Sequence, residues 1–277
     1  MKDLTERVGL IAGDGFLPLE FIRAAKKENC SVVGIGLTEK SFSLMKDVAD
    51  DSLYCPIGKP MEIVDYLKVK EVENIGFAGK VEKRMIFNSI DEFDEHARNI
   101  LKNAGDLNDV NIMNQVIDFF EANGFKVFSQ LRFLESLIAK EGSLNQIEVS
   151  TKDILEFRKC FQITREIADL DIGQTVVFKK GVVIAVEAVE GTDATLLRSH
   201  ELVGEGVVIC KVSRPKQDHR FDIPVIGSDT IDILEKISAS ALVVQAGETL
   251  ITDYEKVINI SEIAGIKIYG FLENHKK

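Results

Sequence analysis

Near its start, this chain has a short apolar run followed by two glycines, a pattern that few folds accommodate. Val8–Ala12 has the length of one buried strand, and Gly13 and Gly15 follow it closely. Residues 19–29 then carry apolar side chains at helical spacing, and residues 31–37 form a second apolar run. A strand, a glycine turn, a helix and a second strand make one βαβ unit, which predicts a parallel sheet.

The same alternation of elements continues to about residue 140. The further predicted elements are a helix at 63–67, a strand at 74–78, a helix at 111–123 and a strand at 125–128. Residues 1–140 are therefore predicted to form one layered α/β domain.

A polar segment separates this domain from a second one. Residues 141–150 contain glycine and serine and lack sustained periodicity, which predicts a linker before a domain at 151–277. Helices are predicted there at 151–170, 195–202, 230–237 and 254–264, and strands at 174–178, 182–189, 206–212, 241–245 and 266–271. Lys179–Gly181 between two of these strands predicts a hairpin. The predicted fold class is α/β, with two mixed α/β domains.

The charge balance limits the partners that the chain can bind. The formal net charge of -11 argues against a broad nucleic-acid surface. An anionic substrate would therefore need a local basic patch or a bound cation. Neither a signal-peptide pattern nor a run of the ~20 apolar residues that span a bilayer is found, so we expect a soluble, cytoplasmic protein. The cysteines (Cys30, Cys55, Cys160 and Cys210) lack C-x-x-C spacing, which favours buried, reduced thiols over a zinc site.

Two interpretations of the first glycine turn stay open. Gly13 and Gly15 would let a phosphate approach the N–H groups at the start of the next helix. Pro18 stands where a dinucleotide fingerprint has its third glycine, so the full signature is broken although proline suits a first helical turn. The turn fits either a nucleotide phosphate or a simple tight connection. Glu39 lies near the position of a ribose-binding carboxylate, and an exposed glutamate would look the same.

The stretch from Glu190 to Asp229 is the strongest candidate for carrying chemistry. Residues 186–193 run from an apolar strand into a turn with carboxylates, and residues 211–224 mix lysine and arginine with aspartate after another strand. Pyrophosphate hydrolysis uses such a mixture, because cations offset charge on phosphoryl oxygens while carboxylates hold Mg²⁺ or orient water. A solvated loop with weak ion pairs would have the same composition.

Histidine chemistry is not supported by the sequence. The four histidines (His96, His200, His219 and His275) lack metal-ligand spacing, and no G-x-S-x-G motif exists for a Ser-His-Asp hydrolase. We expect a structural or solvated role for His219, which lies beside the acidic loop.

Several blocks resemble, in the same order, those of the LpxI-type UDP-2,3-diacylglucosamine pyrophosphatases. IAGDGFLP at 11–18 resembles the AGxGxLP signature of that family, and AGKV at 78–81 its AGxV segment. LDIGQ at 170–174, VEAVEGTDA at 186–194 and DIPVIG at 222–227 match its C-terminal blocks. The resemblance extends from about residue 8 to residue 270.

This resemblance implies a cytosolic hydrolase of lipid A biosynthesis. Such an enzyme splits UDP-2,3-diacylglucosamine with water and Mg²⁺ into UMP and 2,3-diacylglucosamine 1-phosphate (lipid X). It implies a uridine-nucleotide domain at 1–140 and a catalytic domain for the acylated sugar phosphate at 151–277. The run Gly105–Val110 departs from the GDDALL-like segment of the family, so Asp109 receives no role.

The predicted site follows from these motifs. Asp222 and Asp193 are the predicted catalytic and metal-binding residues. The predicted substrate-binding residues are Gly13, Asp14, Gly15, Gly79, Lys80, Gln174, Glu190, Gly191, Thr192, Lys211, Arg214 and Arg220. Use of Mn²⁺, peripheral contact with the inner membrane and a homodimer are left open. The alternatives are a nucleotide- or lipid-binding regulatory protein and, resting on the Gly13 turn, an NAD(P)-dependent oxidoreductase.

Overall fold

The computed structural model describes residues 6–81, 85–86, 90–105, 108–214 and 217–273. Contacts divide the chain into two units. The first comprises the described residues up to Glu135 together with His219–Phe221, and the second comprises Ser136–Asp218 and the described residues from Asp222 onward. None of the helices in these ranges has both the length and the apolar character needed to cross a membrane.

The first unit is built on a parallel sheet. Its strands are β1 (Arg7–Ala12), β2 (Ser31–Gly36), β3 (Asp51–Tyr54), β4 (Asn74–Ala78) and β5 (Lys126–Val127). The labelled helices are α1 (Leu17–Lys27), α2 (Glu39–Met45), α3 (Pro60–Val69), α4 (Glu95–Ala104), α5 (Asp109–Ala122) and α6 (Leu131–Leu134). The strand order among the described residues is β3-β2-β1-β4-β5. The chain moves outward from β1 to β3 and returns on the other side of β1, so the order reverses between β1 and β4.

Both faces of this sheet are covered, which explains the unbroken apolar runs. Val8 and Leu10 of β1 are fully buried, as expected for a parallel strand with helices on each side. On one face Phe77 packs with Phe120 of α5. On the other, the ring of Phe21 in α1 lies 5.1 Å from that of Phe133 in α6, in an edge-on arrangement. The predicted α/β class is confirmed.

The second unit is built on a mixed sheet. Its strands are β6 (Gly142–Ser143), β7 (Thr175–Lys179), β8 (Val182–Val186), β9 (Val208–Lys211), β10 (Val225–Ile226), β11 (Ala241–Gln245), β12 (Leu250–Ile251) and β13 (Lys267–Phe271). Its helices are α7 (Thr151–Asp169), α8 (Thr192–Val203), α9 (Ser228–Lys236) and α10 (Tyr254–Ile263). The larger sheet runs β6-β13-β11-β9-β7-β8 within the described residues, and β10 pairs with β12 separately. β9, β11 and β13 are parallel, whereas β7 runs antiparallel to both of its neighbours.

Local sequence explains the boundaries of these elements. Lys180 and Gly181 have positive φ values of 51° and 73° and turn β7 into β8, as the hairpin signature predicts. Ser150 begins α7 with a capping box to Asp153, which satisfies backbone groups that the first helical turn leaves unpaired. Phe157 of α7 belongs to the core on one face of the sheet, and Leu196 of α8 to the core on the other.

The segment 141–150 is not a linker. Gly142 and Ser143 form β6, which pairs with Gly270 and Tyr269 of β13. Asn145 is buried and donates a hydrogen bond to the Ile266 carbonyl at 2.8 Å. The prediction was wrong because the polar groups of this segment are satisfied by residues far along the chain, which local periodicity does not reveal.

The cysteines are buried free thiols, as expected. Burial raises the pKa of Cys55 and of Cys160 to about 12, and it also raises the pKa of Cys210. Thiols with such a high pKa are poor nucleophiles and poor metal ligands, so these side chains act as small apolar residues.

Candidate functional site

The first candidate region lies where the carboxyl ends of β1 and β4 meet. The Gly13 N–H donates to the Ala78 carbonyl at 2.9 Å, and Asp14 and Lys80 exchange backbone hydrogen bonds of 2.9 and 2.8 Å. A Cβ on Gly13 would lie 2.6 Å from the Lys80 carbonyl oxygen, and one on Gly79 would lie 2.6 Å from the Gly13 oxygen. Glycine is therefore required at both positions. Open α/β sheets bind ligands where their strand order reverses, which is this place.

A threonine that the sequence did not single out supports this turn. The Thr38 hydroxyl donates to Asp14 Oδ1 at 2.5 Å and also caps α2 by accepting from the Ser41 N–H. Glu39, considered as a ribose ligand, is exposed in the first turn of α2. Gly15 is exposed with a φ of 108°, a conformation that favours glycine. The turn thus exposes the backbone at Gly15 and carries an Asp14 carboxylate whose position is fixed by Thr38.

The second candidate region is the edge of the six-stranded sheet where β9 ends. Because β7 runs antiparallel to β9, its first residue Thr175 pairs with Lys211, the last residue of β9. The Gln174 carbonyl accepts from the Val212 N–H at 3.0 Å. β8 ends at the same edge, where the Glu187 N–H donates to the Thr175 carbonyl at 2.9 Å. This edge therefore brings together motifs that are far apart in sequence.

The LDIGQ and VEAVEGTDA blocks contact each other closely at this edge. A Cβ on Gly173 would lie 1.9 Å from the Glu187 carbonyl oxygen, so the central glycine of LDIGQ is obligatory. Asp171 of the same block lies 3.5 Å from the guanidinium of Arg214. The two motifs therefore form one structural feature, and Arg214 lies beside it.

Glu187 is a further residue that sequence reasoning missed. One carboxylate oxygen accepts from the Thr192 hydroxyl at 2.7 Å. Its second oxygen is buried and has no hydrogen-bond partner among the described residues, and the same holds for Gln174 Oε1 and Thr175 Oγ1. Unpaired buried polar atoms are rare and indicate a place for a ligand, an ion or water. Glu187 belongs to the VEAVEGTDA block, yet only its contact with Thr192 distinguishes it.

The start of α8 carries four of the predicted residues. Gly191 precedes the helix with a φ of 81°, and Asp193 is exposed in its first turn. Glu190 is exposed and lies 2.7 Å from the Arg198 guanidinium. A backbone hydrogen bond within Glu190 and the bond from Arg198 hold the pKa of the Glu190 carboxyl below its usual range. Glu190 is thus engaged with this turn and its helix.

Lys211 connects the end of β9 to the DIPVIG block. Its side chain belongs to a residue that is only 8% exposed, and its ammonium lies 3.4 Å from the Val225 carbonyl in that block. A buried ammonium is costly unless polar groups surround it. Asp222, which begins the block, is partly buried.

A polar network fixes the backbone that follows β9. Gln245 Oε1 accepts from the Ser213 N–H at 3.0 Å and from the Ser213 hydroxyl at 2.9 Å. Arg165 of α7 donates to the Ser213 carbonyl and lies 3.3 Å from Glu273. These groups hold Ser213, the residue immediately before Arg214. Neither Arg165 nor Gln245 belongs to a recognisable motif, so only the structure identifies them.

Arg220 belongs to the first unit. The His219 carbonyl accepts from the Gln130 N–H at 2.8 Å, Phe221 packs against the core there, and Arg220 lies 3.6 Å from Glu121 of α5. The structural or solvated role expected for the His219 side chain stays a prediction. The side chain of Asp109 and residues Pro215, Lys216 and His275 lie outside what the structure describes.

The described residues contain no cluster of three or more His, Cys, Asp or Glu side chains able to hold a metal ion. Mg²⁺ commonly takes only one or two protein carboxylates and completes its shell with water and substrate phosphate. The donors present, including the unpaired Glu187 oxygen, are hard oxygen ligands of the kind that Mg²⁺ prefers. They fit an ion shared with a phosphate substrate.

Taken together, the fold and the two edges define a two-domain α/β protein with polar motifs at the carboxyl ends of strands. The sequence model of the LpxI N-terminal domain matches residues 7–137, and that of the LpxI C-terminal domain matches residues 140–269. This chain therefore belongs to the LpxI family. UDP-2,3-diacylglucosamine pyrophosphatase LpxI of Caulobacter vibrioides is 30% identical to it, with 95% of this chain and 97% of that protein aligned.

Likeness to solved structures is weak. An ADP complex of N5-carboxyaminoimidazole ribonucleotide synthetase has 13% identity and a TM-score of 0.28, covering 71% of this chain and 44% of that one. The Thermotoga maritima synthetase has 17% identity and a TM-score of 0.24, covering 68% of this chain and 42% of that one. The chain thus spans less than half of these proteins.

Proposed function

We propose that this protein is a UDP-2,3-diacylglucosamine pyrophosphatase of lipid A biosynthesis that releases UMP and lipid X. Membership of the LpxI family across both domains supports this function. The observation that carries it is that the separated LDIGQ, VEAVEGTDA and DIPVIG blocks meet around the end of β9, through Gly173 with Glu187 and Lys211 with Val225.

The chemistry is hydrolysis of a phosphoric anhydride. Asp222 accepts a proton from water as the water oxygen forms a bond to phosphorus, and the bond from that phosphorus to the bridging oxygen breaks. Both products leave as phosphate monoesters. Lys211 and Arg214 offset the negative charge that develops on the phosphoryl oxygens, which matters in a protein with a net charge of -11. Asp193 assists at the phosphate.

The proposed cofactor is Mg²⁺, with Mn²⁺ as a substitute. Asp222 and Asp193 would hold it, and the unpaired oxygen of Glu187 is a further hard donor at the same sheet edge. When bound, the ion neutralises phosphate charge during attack by water.

The first unit supplies the proposed uridine-nucleotide site. Gly13 and Gly79 let the two segments of the turn contact each other, whereas the backbone at Gly15 has open space beside it for the substrate. Asp14 is held in place by Thr38. The exposed Lys80 at the end of β4 provides a cation for the pyrophosphate. Gln174, Gly191 and Thr192 of the second unit are proposed to contact the sugar phosphate. We further propose a cytoplasmic location with peripheral contact to the inner membrane, and homodimers.

Release of UMP from UDP-2,3-diacylglucosamine tests this function. The purified protein is incubated with substrate and Mg²⁺, and UMP is quantified by chromatography beside a sample containing a chelator. We expect UMP and lipid X in equal amounts, and loss of both with the chelator. Tight binding of the substrate without any UMP would instead identify a regulatory binding protein.

A further inference from the structure

The first unit contains an apolar cavity with a volume of about 140 Å³. The described residues that line it are all apolar, and they include Ile11, Leu37, Phe77, Val81, Ala97 and Met113. Protein interiors are close-packed and contain few voids larger than one water molecule. A cavity of this size therefore calls for an explanation beyond packing.

The cavity lies at the same end of the first sheet as the glycine turn. Ile11 is near the end of β1, two residues before Gly13, and Val81 directly follows Lys80. Leu37 directly precedes Thr38, whose hydroxyl holds Asp14. The three segments that form the polar turn thus also contribute walls to the cavity. Helices α4 and α5 supply further walls through Ala97 and Met113.

The lining determines what can occupy this space. A water molecule needs two to four polar partners, which an apolar wall does not offer. A dry cavity of roughly this volume can bind benzene, so it can accommodate about six carbon atoms. This size suits one end of an alkyl chain, and the apolar lining residues offer a nucleoside or a sugar no side-chain hydrogen-bond partner.

We propose that this cavity binds the end of one acyl chain of the substrate, an inference that rests on the proposed pyrophosphatase function. The acyl group on carbon 2 of the glucosamine is adjacent to carbon 1, which carries the diphosphate. A protein that holds the diphosphate at the glycine turn must therefore place this acyl chain close by. Under this proposal, at least one acyl chain of the substrate binds in the first unit. The family resemblance, in contrast, implies that the second domain binds the acylated sugar phosphate.

Filling the cavity tests the assignment. Ala97 and Ala104 lie on the same helix and are 4% and 7% exposed, but only Ala97 lines the cavity. We expect Ala97→Leu to lower the ratio of kcat/KM for a long-chain substrate to that for its diacetyl analogue by about tenfold. The basis is that each displaced methylene is worth about fourfold in affinity. Ala104→Leu should leave this ratio unchanged. An unchanged ratio in folded Ala97→Leu would overturn the proposal.

Photolabelling of the unmodified protein tests the same proposal without requiring that a variant fold. UDP-2,3-diacylglucosamine with a diazirine at the end of each acyl chain is photolysed on the protein, and labelled peptides are mapped by mass spectrometry. Label on the peptides that contain Ala97 or Met113 supports the proposal. UMP release in a parallel sample, together with label confined to other peptides, overturns the acyl site while leaving the hydrolase intact. Label in the cavity without UMP release would retain the acyl site and remove the hydrolase.

Discussion

The two candidate regions, one at the strand ends of each sheet, are built from different chemical groups. In the first unit, Gly13 and Gly79 bring two backbone segments into contact beside an apolar cavity. In the second unit, the end of β9 gathers charged side chains, with Lys211 buried and Glu187 holding an unpaired oxygen. The first edge offers close backbone contacts and apolar walls, whereas the second offers charged side chains.

Under the proposed function, this difference assigns separate roles to the two units. Backbone groups can bind a nucleotide and apolar walls can bind a lipid, and neither kind of contact requires a proton transfer. Bond cleavage instead requires charges placed where charge develops in the transition state. We therefore expect changes at the first edge to affect folding and substrate recognition, and changes at the second edge to affect the rate of the chemical step.

The largest expected effect is at Asp222. Asp222→Asn keeps the shape of the side chain but removes its capacity to take a proton. We expect kcat to fall by about 10²- to 10⁴-fold, the usual contribution of general base catalysis. UMP release under saturating substrate measures this change. Asp232→Asn, at an exposed position on α9, is the matched control and should keep parental kcat. Near-normal turnover by Asp222→Asn would remove Asp222 from the chemistry.

Gly13→Ala tests the backbone contact of the first edge. The new methyl group would lie 2.6 Å from the Lys80 carbonyl oxygen, so the two turns must separate. Overpacking of this kind costs about 3 kcal/mol of unfolding free energy, measured by urea denaturation. Gly34→Ala in β2 is the control, because its methyl group would lie at an ordinary distance of 3.5 Å from neighbours. Equal stability of the two variants would contradict the contact.

Gln245→Leu tests the network behind the second edge. The change leaves the buried Ser213 N–H and hydroxyl without their acceptor. We expect a loss of about 2 kcal/mol in unfolding free energy and a lower kcat, because Ser213 precedes Arg214. The exposed Gln146→Leu serves as control for the loss of an amide. If both variants unfold at the same urea concentration, the network does not stabilise this edge.

The smallest effect concerns acid stability. Burial raises the pKa of the Asp153 carboxyl, but hydrogen bonds from Lys267 and Ser150 outweigh burial and hold this pKa at about 2, below the ordinary 3.8. The resulting stabilisation is present above about pH 4 and is lost as the pH falls toward 2, and it amounts to about 1 kcal/mol for this partly exposed group. Thermal unfolding between pH 5 and pH 2 measures it. Asp153→Asn should show a shallower decline, and a parallel decline would exclude this role.

Much of the architecture could be predicted from the sequence because buried strands and amphipathic helices leave regular apolar patterns. The βαβ start and the hairpin at Gly181 were of this kind. The short helix α2 and strand β3 were not predicted. α2 depends on the cap at Thr38, and the residues of β3 are only partly buried or exposed, so neither shows a strong pattern.

The candidate site was harder to predict because its contacts are long-range. Asp193 and Asp222 could be chosen from motifs, and Lys211 from its place near the end of a predicted strand. Thr38, Arg165 and Gln245 lie in no motif and act through partners distant in sequence. Arg220 is one of the basic residues in the charged stretch that the sequence singles out. Its ion pair with Glu121 of the first unit could not be predicted from the sequence.

Phosphorus NMR of the products formed in ¹⁸O-water shows whether this protein uses water to cleave the pyrophosphate. The protein, Mg²⁺ and UDP-2,3-diacylglucosamine are incubated in labelled water, and the isotope shift of each phosphate resonance is recorded. We predict UMP and diacylglucosamine 1-phosphate in equal amounts, with one ¹⁸O atom in the phosphate of one product per turnover. Absence of these products, or their formation without ¹⁸O in either phosphate, would contradict hydrolysis of the pyrophosphate by water.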